Sequence, residues 1–403
     1  MKPTSFIQPS RNNLKYLKWS YNSIRKNLGS HHEICWADDY SDDGTWEWMN
    51  EIKEKDQNVK IYRNEGPNRL GHTILYDTLV NDYATNDIVM IFHADMYACP
   101  KMDEEVLKQL EPGKVVSATR IEPPLHPDGP EKILKDFGIE PEEFKEQELL
   151  NFIDEYTNQA YHHPTIGIFA PWAIYKDDFQ SINGHDPLYA PQSKEDSDIF
   201  NRFVLAGYEL IQTWHGFVYH MTSRGSRFKD GAMRNPAGQV FMKGRESTEW
   251  LEQNLRSTRN FIRKWGHMVK HDNMMYPIIP PKYDIGFTAR NCDFGLLKEL
   301  EPWCSTIYVE YTGVIESYIK EEQKNTEFNL KDRIKHYVHQ SKTDNDINIE
   351  FDCNRLNANN FQTIVNLSEI LQESGDIGIM EYDIFKFHIK SLKTYEKELI
   401  LVK

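Results

Sequence analysis

The sequence predicts an α/β protein built on a mostly parallel sheet, followed by a smaller C-terminal α+β domain. In the first hundred residues, short apolar segments alternate four times with amphipathic helical segments, and each apolar segment ends in polar residues. Strand–helix alternation of this kind is typical of parallel sheets joined by right-handed crossovers. Beyond residue 283, short strand and helix patterns mix without a comparable cluster of polar motifs.

The individual elements are predicted from the spacing of apolar residues and from the residues that typically begin or end helices and strands. The first strands are predicted at residues 4–8, 33–37, 59–62 and 88–92, with helices at 14–28, 45–55 and 73–83 between them. An edge strand is expected at 115–121, and residues 122–160 are expected to form an acidic insertion with a helix over 140–156. The core then resumes with a strand at 166–173, a helix at 195–205 and a strand at 209–218 that leads to His220.

These elements predict three regions. Residues 1–225 form the main domain, residues 226–282 contain a basic loop, a long helix and a Pro-rich linker, and residues 283–403 form the α+β domain. We assign no role to the last region beyond expecting that any oligomer forms through it.

The charge distribution limits the classes of ligand. The formal net charge is −15, which argues against nucleic-acid binding because that needs a basic surface. Residues 101–160 carry a net charge of −8 (15 acids, 7 bases), whereas residues 224–270 carry +7 (11 bases, 4 acids). A local basic segment on an acidic protein favours a small anionic ligand.

The cysteines and the hydropathy pattern indicate the compartment. Five widely spaced cysteines form no CxxC pair, so we expect reduced thiols. No signal-peptide pattern opens the chain, and no apolar run reaches the roughly 20 residues that a membrane span needs. We therefore expect a cytoplasmic protein without a transmembrane segment, and peripheral contact with a membrane stays open.

The fourth apolar segment ends in two candidate metal ligands, His93 and Asp95. Being two residues apart on extended backbone, their side chains are expected to point the same way. A carboxylate suits Mg²⁺ or Mn²⁺, and Mn²⁺ also accepts an imidazole. A strand end whose polar residues only meet solvent is the alternative.

The second strand is followed by an acidic loop with two interpretations. Asp38 and Asp39 could accept hydrogen bonds from a nucleobase or a ribose. The same loop, with Ser41 and Asp43, could equally cap the helix that begins near Thr45.

Five polar motifs follow one another along the chain. They are Asp38-Asp39-Tyr40-Ser41-Asp42-Asp43-Gly44-Thr45, then Arg63 with Asn68-Arg69-Leu70-Gly71, His93-Ala94-Asp95, Gly184-His185-Asp186, and Lys194-Glu195-Asp196. In type and order they resemble the signature of family 2 glycosyltransferases, which have the GT-A fold, a Rossmann-like, mostly parallel sheet flanked by helices. The resemblance covers roughly residues 4–225. It departs from the family at Tyr40, where Gly is usual, at Asp77, where Asn is usual, and at His93, where Asp is usual.

The resemblance implies an inverting, metal-dependent hexosyltransferase that moves a sugar from a UDP- or GDP-sugar to a hydroxyl of a glycan or another acceptor. It implies that Asp196 is the general base, with Glu195 as its substitute, and that Asp95, His220 and His93 bind Mn²⁺ or Mg²⁺. The expected donor-binding residues are Pro9, Arg11, Asp38, Asp39, Arg63, Gly71, Ala94, Arg224 and Arg227. The expected acceptor-binding residues are Gly184, His185 and Asp186, with the aromatic rings of Trp172 and Tyr189 available for sugar stacking.

Other functions are weighed against this one. A GT-A-like binding protein without catalysis is the main alternative, because His93 replaces a carboxylate. A nucleotidyltransferase or a dinucleotide dehydrogenase needs a glycine-rich loop after the first strand, and Pro9-Ser10-Arg11-Asn12-Asn13 is not such a loop.

Overall fold

The computed structural model describes residues 2–159, 164–167, 169–222, 232–242, 247–338 and 343–402. The chain divides into two compact units. The N-terminal unit contains residues 1–253 and 271–277, and the C-terminal unit contains residues 254–270 and 278–401. No helix in the described part of the chain is long and apolar enough to cross a membrane.

The N-terminal unit alternates strands and helices as predicted, except that the strand expected at 166–173 spans Trp172–Tyr175. Its strands are β1 (Ser5–Ser10), β2 (Glu33–Asp38), β3 (Val59–Arg63), β4 (Ile88–Ile91), β5 (Met96–Ala98), β6 (Lys114–Glu122), β7 (Lys132–Leu134), β8 (Trp172–Tyr175), β9 (Glu209–His220), β10 (Ala232–Arg234) and β11 (Val240–Met242). Its helices are α1 (Leu14–Asn27), α2 (Thr45–Lys55), α3 (Gly71–Thr78), α4 (Met102–Gln109), α5 (Glu146–Thr157), α6 (Lys176–Ser181) and α7 (Glu195–Leu205).

One sheet organises this unit, and its described strands lie in the order β3-β2-β1-β4-β8-β6-β9-β5, with β7 beside β6. Strands β1 to β4 pair in parallel, and β6 pairs in parallel with β9 and β7. Strand β8 pairs antiparallel with β4 and β6, and β5 pairs antiparallel with β9. Every residue of β2 and β4 is buried, as expected for strands covered on both faces. The predicted α/β class with a mostly parallel sheet is confirmed.

The strand order locates the ligand-binding edge. The chain proceeds from β1 to β2 and β3 on one side, and then returns to place β4 on the other side of β1. Open α/β sheets bind ligands at such a switch point, beyond the carboxyl ends of the strands. Arg11 follows β1 at this point, and His93 follows β4 two residues after its last residue.

The acidic insertion differs from its prediction at one boundary. The helix α5 begins at Glu146 rather than at residue 140, because Pro141 starts a separate 3-10 turn that ends before the extended Phe144. Leu149 of α5 packs with Phe137 and Tyr219 in a small apolar cluster on the sheet.

The C-terminal unit has a sheet and a core of its own. Its elements are α8 (Thr248–Trp265, from Asn254 onward), β12 (Ile285–Arg290), α9 (Phe294–Leu300), β13 (Thr306–Val309), α10 (Thr312–Glu322), α11 (Leu330–Arg333), β14 (Ile334–His336), β15 (Ile347–Asp352), α12 (Ala358–Val365), α13 (Leu367–Ser374), β16 (Gly378–Tyr382) and β17 (Phe385–Ile389). The described strands lie in the order β14-β13-β12-β15-β17-β16, and the first four are parallel. The sheet of this unit, with four neighbouring parallel strands, is therefore more regular than the mixture of short strands and helices predicted for an α+β domain. Strands β16 and β17 form a hairpin that turns at Asp383, which has a positive φ of 53°.

Candidate functional site

Three side chains with metal-binding atoms meet at the end of β4. One ligand atom each from His93, Asp95 and His220 lies within 4.8 Å of the others. His220 Nε2 is 3.2 Å from Asp95 Oδ1 and 3.5 Å from His93 Nδ1. The structure thus brings together all three predicted metal ligands.

Strand pairing explains how residues so far apart in sequence meet. Strand β5 follows Asp95 directly and pairs antiparallel with the end of β9, with Met96 opposite His220. The amide of Met221 also donates to the carbonyl of Asp95 over 3.0 Å. These backbone bonds fix the two predicted ligands beside each other.

The second ring nitrogen of His220 contacts a carboxylate that the sequence did not single out. Nδ1 lies 2.8 Å from Oε1 of Glu122, the last residue of β6. Burial acts to lower the pKa of His220, but Asp95 and Glu122 outweigh it and raise the pKa to about 9. Burial and the neighbouring His220 lower the pKa of His93 to about 3.

The donor set fits a divalent cation. One carboxylate and two imidazoles, on side chains that are buried or half-buried, are suitable ligands for Mn²⁺. A second group of similar composition, His31, His32 and Asp103, does not fit one. There Nδ1 of His32 accepts from the amide of Thr4, so the ring proton is on Nε2, 2.8 Å from Asp103, and neither nitrogen has a lone pair left for a cation.

Asp39 holds the loop that leads into α3. Its carboxylate accepts hydrogen bonds from the amides of Leu70 (3.0 Å) and Gly71 (2.9 Å) and from the side chain of Asn64 (2.8 Å). Gly71 has a φ of +79°, and a Cβ there would lie 2.0 Å from the carbonyl oxygen of Pro191. This loop therefore packs tightly on the segment before α7, and Asp39 positions it.

The neighbouring acids have separate local contacts. Asp38 is fully buried, accepts from the amide of Ser41, and lies 3.5 Å from Nε of Arg63; burial raises its pKa. Asp43 accepts from the amides of Thr45 and Leu14, which start α2 and α1. The capping interpretation of the acidic loop is thus supported for Asp43.

Basic side chains surround Asp38 and Asp39. The guanidinium of Arg63 lies over the ring of Trp46, 5.3 Å from its centre. Arg69, which the sequence did not mark as a site residue, lies 3.5 Å from Asp39 and close enough to Arg11 for their like charges to interact. Of the other predicted donor contacts, Pro9 is half-buried near the end of β1 and Ala94 is buried between the metal-binding residues. Arg224 and Arg227 lie outside the described residues.

The predicted bases begin α7 and face a histidine of α3. His72 Nε2 lies 2.5 Å from Oε1 of the buried Glu195, whereas Asp196 is half-buried. Burial acts to raise the pKa of Glu195, but His72 outweighs it and lowers the pKa. Burial and the neighbouring Glu195 raise the pKa of Asp196 to about 6. A carboxylate in that range suits a general base at neutral pH.

The predicted acceptor loop is anchored to the same helix. Arg202 of α7 donates to Asp198 (2.8 Å) and to the carbonyl oxygens of Ile182 (2.8 Å) and Gly184 (2.5 Å). His185 is buried and its Nδ1 lies 2.8 Å from Asp77, the residue that stands where the family has Asn.

Three other predicted acceptor contacts are also inside the protein. The side chain of Asp186 accepts from the amide of Leu188. Trp172 and Tyr189 are both 0% exposed, so neither ring presents a face to solvent. Sugar stacking on either ring would require a rearrangement of the core.

Besides Arg69, three residues near the site were missed by sequence reasoning, namely Glu122, His72 and Arg120. Arg120 lies close enough to His93 and Asp196 to influence the charge of both. Glu122 and Arg120 were missed because β6 was predicted as an edge strand, whereas it lies between β8 and β9. His72 directly follows the predicted Asn-x-x-Gly motif, which was the available signal.

Residues 5–177 match the model of glycosyl transferase family 2. This region is therefore similar to that family. The match confirms the resemblance and, with the sheet topology, the predicted fold class. Asp196 and His220 lie beyond the residues that the family 2 model matches. No curated protein sequence matches the chain.

Several solved structures resemble the chain over about half its length. GalNAc-T7 with UDP, GalNAc and Mn²⁺ is 14% identical, with a TM-score of 0.42 over 55% of this chain. The mannosyltransferase PcManGT from Pyrobaculum calidifontis, in complex with GDP-Man and Mn²⁺, is 17% identical, with a TM-score of 0.39 over 55%. TarS 1-349 from S. aureus, in complex with UDP, is 13% identical, with a TM-score of 0.39 over 54%. The chain covers 43%, 58% and 60% of these three chains, respectively.

Proposed function

We propose that the chain is a metal-dependent glycosyltransferase that moves a sugar from a UDP- or GDP-sugar to an acceptor hydroxyl with inversion. The supporting observation is that His72 links the metal-binding cluster to the predicted base. His72 influences the charge of His93 on one side and contacts Glu195, the neighbour of Asp196, on the other. Asp39 is connected to the same region, because its carboxylate accepts a hydrogen bond from the amide of Gly71, the residue before His72.

The side chains divide the work as follows. His93, Asp95 and His220 would hold Mn²⁺, which supplies charge neutralisation for the leaving diphosphate. Asp196 takes the proton of the acceptor hydroxyl as that oxygen attacks the anomeric carbon. Because a single displacement occurs with a single base, the configuration at that carbon inverts. Glu195, paired with His72, is less suited to be the base than Asp196.

The donor would occupy the switch point between β1 and β4. Arg11, Arg63 and Arg69 provide positive charge beside it, and the fully buried Asp38 acts on the donor indirectly, through its contact with Arg63. Asp39 acts on the donor indirectly in this proposal, by holding the loop of Leu70 and Gly71.

One observation favours a second candidate, a nucleotide-sugar-binding protein without catalysis. The replacement of a family carboxylate by His93 leaves Asp95 as the one acid among the three ligands. Such a protein would bind the nucleotide with Mn²⁺ but would not release it from the sugar.

Turnover of donor sugars tests both candidates. Purified protein is incubated with a panel of UDP- and GDP-sugars with Mn²⁺, Mg²⁺ or a chelator, and release of UDP or GDP is measured. Metal-dependent release that is lost in Asp196→Asn but kept in Asp154→Asn, an exposed acid on α5, would support the enzyme. Nucleotide binding without any release would support the binding protein instead.

A further inference from the structure

Glu122 is a buried carboxylate directly behind the metal-binding cluster, and no motif includes it. We propose that Glu122 orients the ring of His220 and thereby sets the affinity of the His93–Asp95–His220 cluster for a divalent cation. This inference rests on the metal site of the proposed function. It makes Glu122 a positioning residue, because it acts through His220.

An irregularity in strand pairing places Glu122 beside His220. Strands β6 and β9 run parallel, but Ala118 pairs with Thr213 while the next residue, Thr119, pairs with Phe217. Residues 214–216 of β9 are therefore left out of the register. Beyond this shift Ile121 lies opposite Tyr219, which brings Glu122 level with His220 at the carboxyl ends of both strands.

The charges around Glu122 keep it in the carboxylate form, which only accepts hydrogen bonds. Arg120 Nη1 lies 3.2 Å from its Oε1 and Lys132 Nζ lies 3.9 Å from its Oε2. The side chain is 2% exposed, so water does not compete for these contacts. A buried carboxylate with two cationic neighbours is a strong, fixed acceptor.

This acceptor determines which nitrogen of His220 can bind a cation. Since Nδ1 lies 2.8 Å from Glu122 Oε1, Nδ1 must carry a proton to donate. The lone pair available to a metal is therefore on Nε2, the atom that lies 3.2 Å from Asp95 and 3.5 Å from His93. Carboxylates that fix metal-binding histidines in this way typically contribute 10- to 100-fold in metal affinity.

The chain offers a matched control in Glu131. This carboxylate is also buried, and it lies 3.6 Å from Arg120 and 3.5 Å from Lys132, the same two cations. Among the described residues the ring of His220 contacts Asp95, His93 and Glu122, and Glu131 is not one of its partners. Loss of its charge disturbs the ion-pair network equally but leaves the His220 ring alone.

The experiment measures binding of Mn²⁺ alone to the full chain by the electron paramagnetic resonance signal of free Mn²⁺. Parent, Glu122→Gln, Glu131→Gln and Asp95→Ala are compared, with thermal unfolding to verify that each is folded. We expect Glu122→Gln to weaken Mn²⁺ binding by about 10- to 100-fold and Glu131→Gln by less than about threefold. Selective ¹⁵N-histidine labelling of the metal-free chain, with His220→Asn for assignment, should show a proton on Nδ1 of His220 in the parent and in Glu131→Gln.

The outcomes separate the two proposals. Parent-like Mn²⁺ affinity in Glu122→Gln, while Asp95→Ala loses binding, would overturn the role of Glu122 and leave the metal site standing. Equal weakening in Glu122→Gln and Glu131→Gln would also overturn it, because the effect would then belong to the ion-pair network. A parent chain that binds no Mn²⁺ would overturn the metal site and the role of Glu122 together. If Glu122→Gln does not fold, the labelling spectrum of the parent still decides, since a proton on Nε2 and none on Nδ1 contradicts the inference.

Discussion

His72 Nε2 lies 2.5 Å from Glu195 Oε1, and this contact separates the roles of two adjacent carboxylates. Burial acts to lower the pKa of His72, but Glu195 outweighs it and raises the pKa, which favours the charged form of the pair. The contact with His72 therefore favours the ionised form of Glu195 and engages its Oε1. Among the described residues Asp196 forms no ion pair of this kind, and burial and Glu195 raise its pKa.

The substitution Asp196→Asn should remove general-base catalysis. An amide of nearly the same shape cannot take the acceptor proton, so we expect transfer to fall by about 10²- to 10⁴-fold while the Kd for the donor is unchanged. Single-turnover transfer and calorimetric donor binding measure the two quantities. Asp154→Asn on α5 is the matched control, and near-normal transfer in Asp196→Asn would refute the assignment.

The pH profile should report the same residue. Because Asp196 must be deprotonated to act and its pKa is raised to about 6, kcat should be full well above pH 6 and fall about tenfold for each pH unit below it. The positive charge of His72 is among the groups that lower the pKa of Asp196. We therefore expect His72→Gln to shift the acidic limb of the profile to higher pH. A limb that stays in place would show that His72 has only a structural role.

Asp95 should carry the cation dependence of nucleotide binding. It is the carboxylate among the three clustered ligands, so Asp95→Ala should remove the Mn²⁺-dependent part of UDP or GDP affinity. Calorimetry with and without Mn²⁺ gives that part as a difference. His31→Ala, in the cluster whose His32 already uses both ring nitrogens, should behave like the parent chain. Unaltered Mn²⁺-dependent binding in Asp95→Ala would place the cation elsewhere.

The sequence predicted the site well where the signal is local and poorly where it depends on strand order. Strands β1 to β4 are apolar runs with polar residues after them, so His93 and Asp95 could be placed at a strand end from their own neighbourhood. The position of β6 between β8 and β9 depends on pairings over long sequence separations, so Glu122 and Arg120 were assigned to an insertion and an edge. Asp39 belongs to a motif that the sequence showed, but the motif does not predict that its carboxylate accepts hydrogen bonds from the amides of Leu70 and Gly71.

Gly71 provides a stability test of the packing between the loop before α3 and the segment before α7. A Cβ at Gly71 would lie 2.0 Å from the carbonyl oxygen of Pro191, and the φ of +79° is itself unfavourable for Ala. Gly113 is a matched control in the same unit, since its φ is +80° but no atom lies within 4 Å of an added Cβ.

We expect Gly113→Ala to cost about 1–2 kcal/mol of the free energy of unfolding, from the backbone conformation alone. Gly71→Ala should cost about 1–3 kcal/mol more, because the backbone must also move away from Pro191. Since that movement displaces the start of α7, Gly71→Ala should lower transfer as well, whereas Gly113→Ala should not. Equal unfolding free energies for the two variants, measured in denaturant, would mean that the loop and α7 are not packed as the structure shows.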